Sequence, residues 1–175
     1  MKIGISSPGA MGVTIASIMQ SNGHSVYWAS NGRSEKSKDR ANKFNIIDCL
    51  TVENLCKKCD FIFSILPGDT PAVGFAESVS KTGFNGVFID ANTLNSNLSI
   101  EKLKEIADRS EFVFIQMAIR GFTLEDKREM YPERNKIYIE YGTEKLLYHL
   151  LRSDNWDISI VEEGASKNTI RNWNS

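Results

Sequence analysis

Ser6-Ser7-Pro8-Gly9-Ala10-Met11-Gly12 is the stretch that decides the fold. It follows an apolar run that begins at Lys2 and leads into Ala10–Ser21, where Met11, Ile15, Ile18 and Met19 recur at helical spacing up to a left-handed helix end at Asn22-Gly23. Strand, glycine turn and helix, in that order, are the context in which the pattern G-x-G-x-x-G works, with Ser7 standing where the first glycine normally stands. Gly9, without a Cβ, lets the backbone approach a pyrophosphate, Gly12 lets the helix pack on its strand, and the unpaired N–H groups of the first helical turn face the anion. Ser7 adds a hydroxyl donor. A glycine pattern alone is as often a plain tight turn. Here a second strand follows within one βαβ length, which points to a dinucleotide.

Outward from this turn, short apolar runs alternate with segments of helical period. Strands are expected at 2–6, 25–30, 61–66, 87–90, 112–119, 136–141 and 158–161. Helices are expected at 34–44 and 51–58 with Ser34 and Thr51 as N-caps, at 70–81 with Pro71 at the first helical position, from Leu98 onward with Ser99 as cap, and at 143–151. The alternation predicts an α/β fold of the Rossmann type: a doubly wound, mostly parallel sheet with helices on both faces. The polar stretch 123–135 reads as a long surface loop. Residues 1–163 are expected to form one NAD(P)-binding domain, and 164–175 the start of an interdomain helix or a disordered tail.

The end of the second strand bears on which dinucleotide. An NAD enzyme presents an acid there to the ribose 2′-hydroxyl, whereas this chain reads Tyr27-Trp28-Ala29-Ser30-Asn31-Gly32-Arg33-Ser34. The Arg33 guanidinium suits a phosphate, and Asn31, Ser34 and Lys36 offer further donors at the start of the next helix. NADP(H) is therefore expected over NAD(H).

Composition excludes other classes. With 41% hydrophobic and 25% charged residues in 175, the chain can bury one sizeable core. Its net charge of -1 leaves no excess of cations to hold a nucleic acid or an anionic membrane. No apolar run nears the roughly 20 residues that span a bilayer, and the first strand starts at once, so a cytoplasmic location is expected. Cys56-Lys-Lys-Cys59 has the spacing of a redox pair or half a zinc site, but the second half is missing, because His24 and His149 are not in a paired spacing. No metal is expected, and reduced thiols near a helix end are the simpler reading.

Gly9-Ala10-Met11-Gly12, followed by Asn31-Gly32-Arg33-Ser34-Glu35 and Asp90-Ala91-Asn92-Thr93, resembles the 6-phosphogluconate dehydrogenase and β-hydroxyacid dehydrogenase superfamily, in particular its branch of 6-phosphogluconate dehydrogenase-like NAD(P)-binding proteins. The resemblance spans about residues 1–120. It implies that Ser7, Pro8, Gly9, Ala10, Met11 and Gly12 hold the pyrophosphate and that Asn31, Arg33 and Ser34 hold the 2′-phosphate. Leu66 and Pro67 would line the path between the riboses, with Asn92 and Thr93 near the nicotinamide. It further implies hydride transfer with a small hydroxy acid, and a homodimer is one assembly it allows.

Three departures stand out. Where the family carries a small-residue, glycine-bearing substrate loop, this chain reads Gln116-Met117-Ala118-Ile119-Arg120-Gly121-Phe122. The family's catalytic lysine follows a turn that Gly164-Ala165-Ser166 resembles. The expected position falls on Thr169, and Lys167 is the nearby lysine and so the catalytic candidate. The helical second domain of the family is absent, so the active site is expected to be incomplete in this chain. A non-catalytic NADP(H)-binding sensor or interaction module is the alternative.

Overall fold

Ile3, Gly4 and Ile5 are all buried, as a strand covered on both faces requires, and this strand, β1 (Lys2–Ile5), lies inside the sheet. The computed structural model describes residues 1–121, 123–124, 136–140, 144–154 and 156–161. After β1 come α1 (Ala10–Ser21), β2 (Ser25–Trp28), α2 (Glu35–Lys43), β3 (Ile47–Asp48), α3 (Val52–Lys58), β4 (Phe61–Ser64), α4 (Asp69–Ser80) and β5 (Val87–Asp90). The chain continues through α5 (Asn97–Asp108), β6 (Val113–Arg120), β7 (Lys136–Glu140), α6 (Glu144–Leu151) and β8 (Asp157–Val161).

The strands form one sheet in the order β3-β2-β1-β4-β5-β6-β7-β8. Every pairing is parallel except β6 with β7, which is antiparallel. The chain winds one way from β1 to β3 and the other way from β4 onward. The switch point therefore falls between β1 and β4, where an open α/β sheet binds its ligands outside the strands' carboxyl ends.

Alternate residues of each strand feed two cores. On one face Ile3, Ile5, Trp28, Phe63 and Ile89 pack with Ile15 and Met19 of α1, Ala41 of α2 and Leu147 and Leu150 of α6. On the other, Ile62 and Phe88 meet Leu55 of α3, Phe75 and Val79 of α4, and Leu103 and Ile106 of α5. Phe88 stacks on Phe112 with ring centroids 5.0 Å apart. The fold is thus α/β and doubly wound, as the sequence implies.

Differences are local. β3 is not foreseen, since two residues are too few for periodicity, and Ile47 is 48% exposed at the sheet edge. α4 begins at Asp69 rather than Thr70, behind Gly68 at φ +90°, which puts Pro71 third in the helix, still among the four positions whose N–H has no helical partner. α5 begins at Asn97 with Ser96 as N-cap, not Ser99. The cause is Asp69, whose carboxylate accepts from Asn95 N–H at 3.0 Å and Ser96 N–H at 2.9 Å and so fixes the entry. No helix among the described residues is long and apolar enough to cross a membrane.

Candidate cofactor site

The glycine turn joins β1 to α1 at the switch point. Gly9 is the N-cap of α1, with no side-chain cap and no acidic residue in the first turn. The first helical bond runs from Val13 N–H to Gly9 O at 2.9 Å, so the N–H groups of Ala10, Met11 and Gly12 lead out of the helix end toward an anion. A Cβ on Gly9 would meet nothing closer than Ser7 Oγ at 4.0 Å; the space it would fill is the cradle a pyrophosphate needs. These features fit the phosphates of a dinucleotide. Gly12 is required for a different reason from the one expected: a Cβ there would collide with the carbonyl oxygen of Ser7, so the turn itself, more than helix-on-strand packing, excludes a side chain. Ser7 is half-buried and Pro8 buried, and Met11 packs against the core from the first turn of α1.

Ser6, just ahead, ties the ends of two strands. Its N–H donates to Phe63 O at 2.8 Å and its hydroxyl accepts from Ile65 N–H at 2.8 Å.

The loop after β2 folds back over the turn. Arg33, half-buried, follows Gly32 at φ +72° and donates from Nη2 to Ser6 O at 3.0 Å. Ser34 caps α2, its Oγ accepting from Ser37 N–H at 3.3 Å, so its hydroxyl serves the helix first. Asn31 is exposed and donates its N–H to Leu50 O at 2.8 Å. Lys36 is exposed.

Two residues that sequence reading missed belong to this corner. Arg40, from the second turn of α2, donates from Nη1 to Pro8 O at 3.3 Å and brings a second guanidinium against the glycine turn. Asp48 ends β3 and accepts from Ser30 N–H at 3.2 Å and Ser30 Oγ at 2.6 Å. The sequence lacks an acid at the end of β2, but the structure supplies a carboxylate there from the neighbouring strand. Arg40 carries a sequence signal, since Ser34 sets the frame of a helix whose residues can face the turn; Asp48 carries none.

At the other end lies the loop pair after β4 and β5. Leu66 is half-buried, and Pro67 and Thr93 are exposed. Asn92 is only 4% exposed, and its amide is fully engaged. Nδ2 donates to Ser64 Oγ at 2.8 Å and to Asp90 Oδ1 at 2.5 Å, while Oδ1 accepts from Leu66 N–H at 2.6 Å. Asn92 is thus a strut that shapes the loops at this end. Level with Asp90, Gln116 of β6 is 8% exposed, and its Nε2 has no hydrogen-bond partner among the described residues. Phe122, the turn Gly164-Ala165-Ser166 and the catalytic candidate Lys167 lie outside the described residues.

Among the described residues the remaining chemistry-bearing side chains form no second centre. Cys49, Cys56 and Cys59 are free thiols, and burial raises the pKa of each, that of Cys59 to about 12, which keeps them protonated and poor nucleophiles. His24 comes near His149, but Nε2 faces a backbone oxygen at 3.5 Å, not the other ring. Among the described residues no three His, Cys, Asp or Glu side chains could share a metal ion.

A sheet with this switch point and this cradle defines a dinucleotide-binding protein. Residues 2–127 match the NAD binding domain of 6-phosphogluconate dehydrogenase, and the chain belongs to that family. Solved structures agree in fold. The conserved protein MTH1747, described as of unknown function and structurally similar to 3-hydroxyacid dehydrogenases, superposes with a TM-score of 0.73 at 20% identity, over 97% of this chain and 61% of that one. An imine reductase variant from Myxococcus stipitatus in complex with NAD+ gives 0.71 at 12% identity, over 99% and 61%. The imine reductase from Bacillus cereus BAG3X2 gives 0.70 at 17%, over 98% and 59%. The chain therefore spans about three fifths of the length of these relatives. A comparison with curated proteins gives no match.

Proposed function

We propose that this chain binds NADP(H) in preference to NAD(H) and forms the cofactor half of an oxidoreductase acting on a small hydroxy acid. The observation that carries the cofactor choice is the Arg33 guanidinium, held 3.0 Å from Ser6 O beside the glycine turn, with Arg40 on the same turn. Two cations at the adenosine end favour a dianionic 2′-phosphate over a hydroxyl. The N–H groups of Ala10, Met11 and Gly12 receive the pyrophosphate at the positive end of α1. Leu66 and Pro67 line the path onward, and the Asn92 strut holds their loop in place for a flat ring.

When bound, the nicotinamide supplies the hydride chemistry at its C4. Oxidation of a hydroxyl also releases a proton, for which Lys167 is the candidate acceptor carried over from the family resemblance. Support for the substrate class comes from that resemblance and from the 3-hydroxyacid dehydrogenase likeness reported for MTH1747.

The test is calorimetric titration of the purified chain with NADPH and, separately, NADH in low-phosphate buffer. Tighter binding of NADPH is expected. Binding of neither would remove the cofactor reading, and a preference for NADH would reverse the cofactor choice.

A further inference from the structure

The end of β2 carries a negative charge that its own sequence lacks. Asp48 takes three hydrogen bonds there: Ser30 N–H on Oδ1 at 3.2 Å, Leu50 N–H on Oδ1 at 2.8 Å, and the Ser30 hydroxyl on Oδ2 at 2.6 Å. Ser30 lies just past the last residue of β2 and is 7% exposed. A serine hydroxyl has a single proton. Given to Asp48, it leaves only lone pairs on Oγ for anything that approaches from the crevice. A ribose 2′-hydroxyl can donate to such an oxygen. A 2′-phosphate cannot, since it offers acceptors and carries close to two negative charges of its own.

Opposed to this pair stand Arg33 and Arg40, whose charges favour the phosphate. We infer that Asp48, acting through Ser30, is a positioning residue for cofactor specificity, a counterweight to the arginines that lets the site accept NAD(H) beside NADP(H). The inference rests on the reading that this crevice takes a nicotinamide dinucleotide. It differs from that reading in assigning the preference to a balance between a carboxylate on β3 and the guanidinium groups of the β2–α2 loop and of α2, rather than to a cation alone.

A structural role for Asp48 predicts something else. If its carboxylate only staples the loops after β2 and β3, removing its charge should change the affinity of every adenosine ligand by the same factor. The ratio between ligands with and without a 2′-phosphate separates the two roles.

The experiment uses four probes on the whole 175-residue chain: NADPH, NADH, and the adenosine fragments 2′,5′-ADP and 5′-AMP, which differ only in the 2′-phosphate. Asp48→Asn keeps the shape and an acceptor for the backbone N–H groups. It is expected to raise affinity for the two 2′-phosphorylated probes, relative to the other two, by about five- to twentyfold, the effect of a unit charge about 5–7 Å from a doubly charged group at high dielectric. Ser30→Ala should weaken NADH and 5′-AMP and spare NADPH and 2′,5′-ADP. It reads the same pair if Asp48→Asn loses its melting transition. An unchanged ratio in the variant that folds, or a shift toward NADH, overturns the inference. If the fragments respond as expected while neither dinucleotide binds, the charge balance stands and the wider cofactor reading falls. If none of the four binds, both fall.

Discussion

Arg33 shows how a single side chain joins a loop to the glycine turn. Its loop is turned by Gly32 at φ +72°, its guanidinium is anchored on Ser6 O, and the anchor places it beside the first turn of α1. Arg33→Ala should weaken NADPH by about 1.5–3 kcal/mol, the range for a charge-assisted hydrogen bond, and NADH by much less. Calorimetry of both cofactors checks this, and equal losses would take the phosphate away from Arg33. The two glycines of the turn separate stability from binding. Gly12→Val places its side chain into the Ser7 carbonyl and should cost about 1–3 kcal/mol or more of folding stability. Gly9→Val has room, since its Cβ would stand 4.0 Å from Ser7 Oγ, and should cost only the loss of a good N-cap residue, about 1 kcal/mol, while it blocks the pyrophosphate. Thermal melts paired with titration would reveal a fault in this assignment if the two variants behaved alike.

Cys59 carries a pH dependence of its own. Its thiol stands at about 12 against an ordinary 9.0, chiefly because burial disfavours the thiolate. A thiol whose pKa is raised on folding stabilises the fold fully below the unfolded value and loses that contribution as pH climbs from 9.0 toward about 12. Denaturant midpoints measured on either side of pH 9 should fall with alkalinity in the wild type and fall less in Cys59→Ala. Much of this scale was legible beforehand. The glycine turn, the missing acid and Arg33 could all be read in order along the chain. Asp48 could not, because it acts across a strand pair that only the fold brings close, and Arg40 only in part, through the helix frame that Ser34 sets.

Elements depend on single residues at their ends. Asn92 links the end of β4, through Ser64 Oγ, to the end of β5, through Asp90, and holds Leu66 N–H as well. Asn92→Ala would take one hydrogen bond from the buried Asp90 carboxylate and leave Leu66 N–H without its side-chain acceptor, at about 1–3 kcal/mol in all. Urea unfolding should show that loss, and Asn92→Asp should not restore stability, since it sets a second carboxylate beside Asp90. A variant as stable as the wild type would mean that the strut is dispensable. The sequence marked Asn92 as a contact for the nicotinamide. Its burial and its role as a strut depend on the parallel register Ser64↔Asp90, and nothing in a single run of residues encodes that. Helix starts shifted for a similar reason: Asp69 on one helix sets the beginning of the next. Strong apolar period and strong caps, as in α1 and at Ser34 and Thr51, survived into the structure because their partners are local.

The whole molecule stands on two cores divided by the sheet. Phe88 sits at the middle of one, stacked on Phe112 and close to Phe75 and Phe114. Phe88→Ala should cost about 3–5 kcal/mol, a large part of the 5–15 kcal/mol that holds a domain of this size together. A lowered melting temperature with unchanged cofactor preference in the folded fraction is expected, because the site at the switch point is built on the strand ends rather than on this core.

The sheet is also stepped. β5 stops at Asp90, level with Gln116, while β6 runs on to Arg120, four residues or about 13 Å beyond. β7 pairs only with that overhang, from Met117 to Arg120, and β8 pairs with β7 so that Val161 lies opposite Glu140. The last two strands therefore form a parapet above the rim on which a dinucleotide would rest, and the chain comes off Val161 at the height of that rim. Three strand spacings, about 14 Å, separate β8 from β5. A dinucleotide laid along that rim would meet this parapet as a wall on its β6 side, built from strand rather than loop.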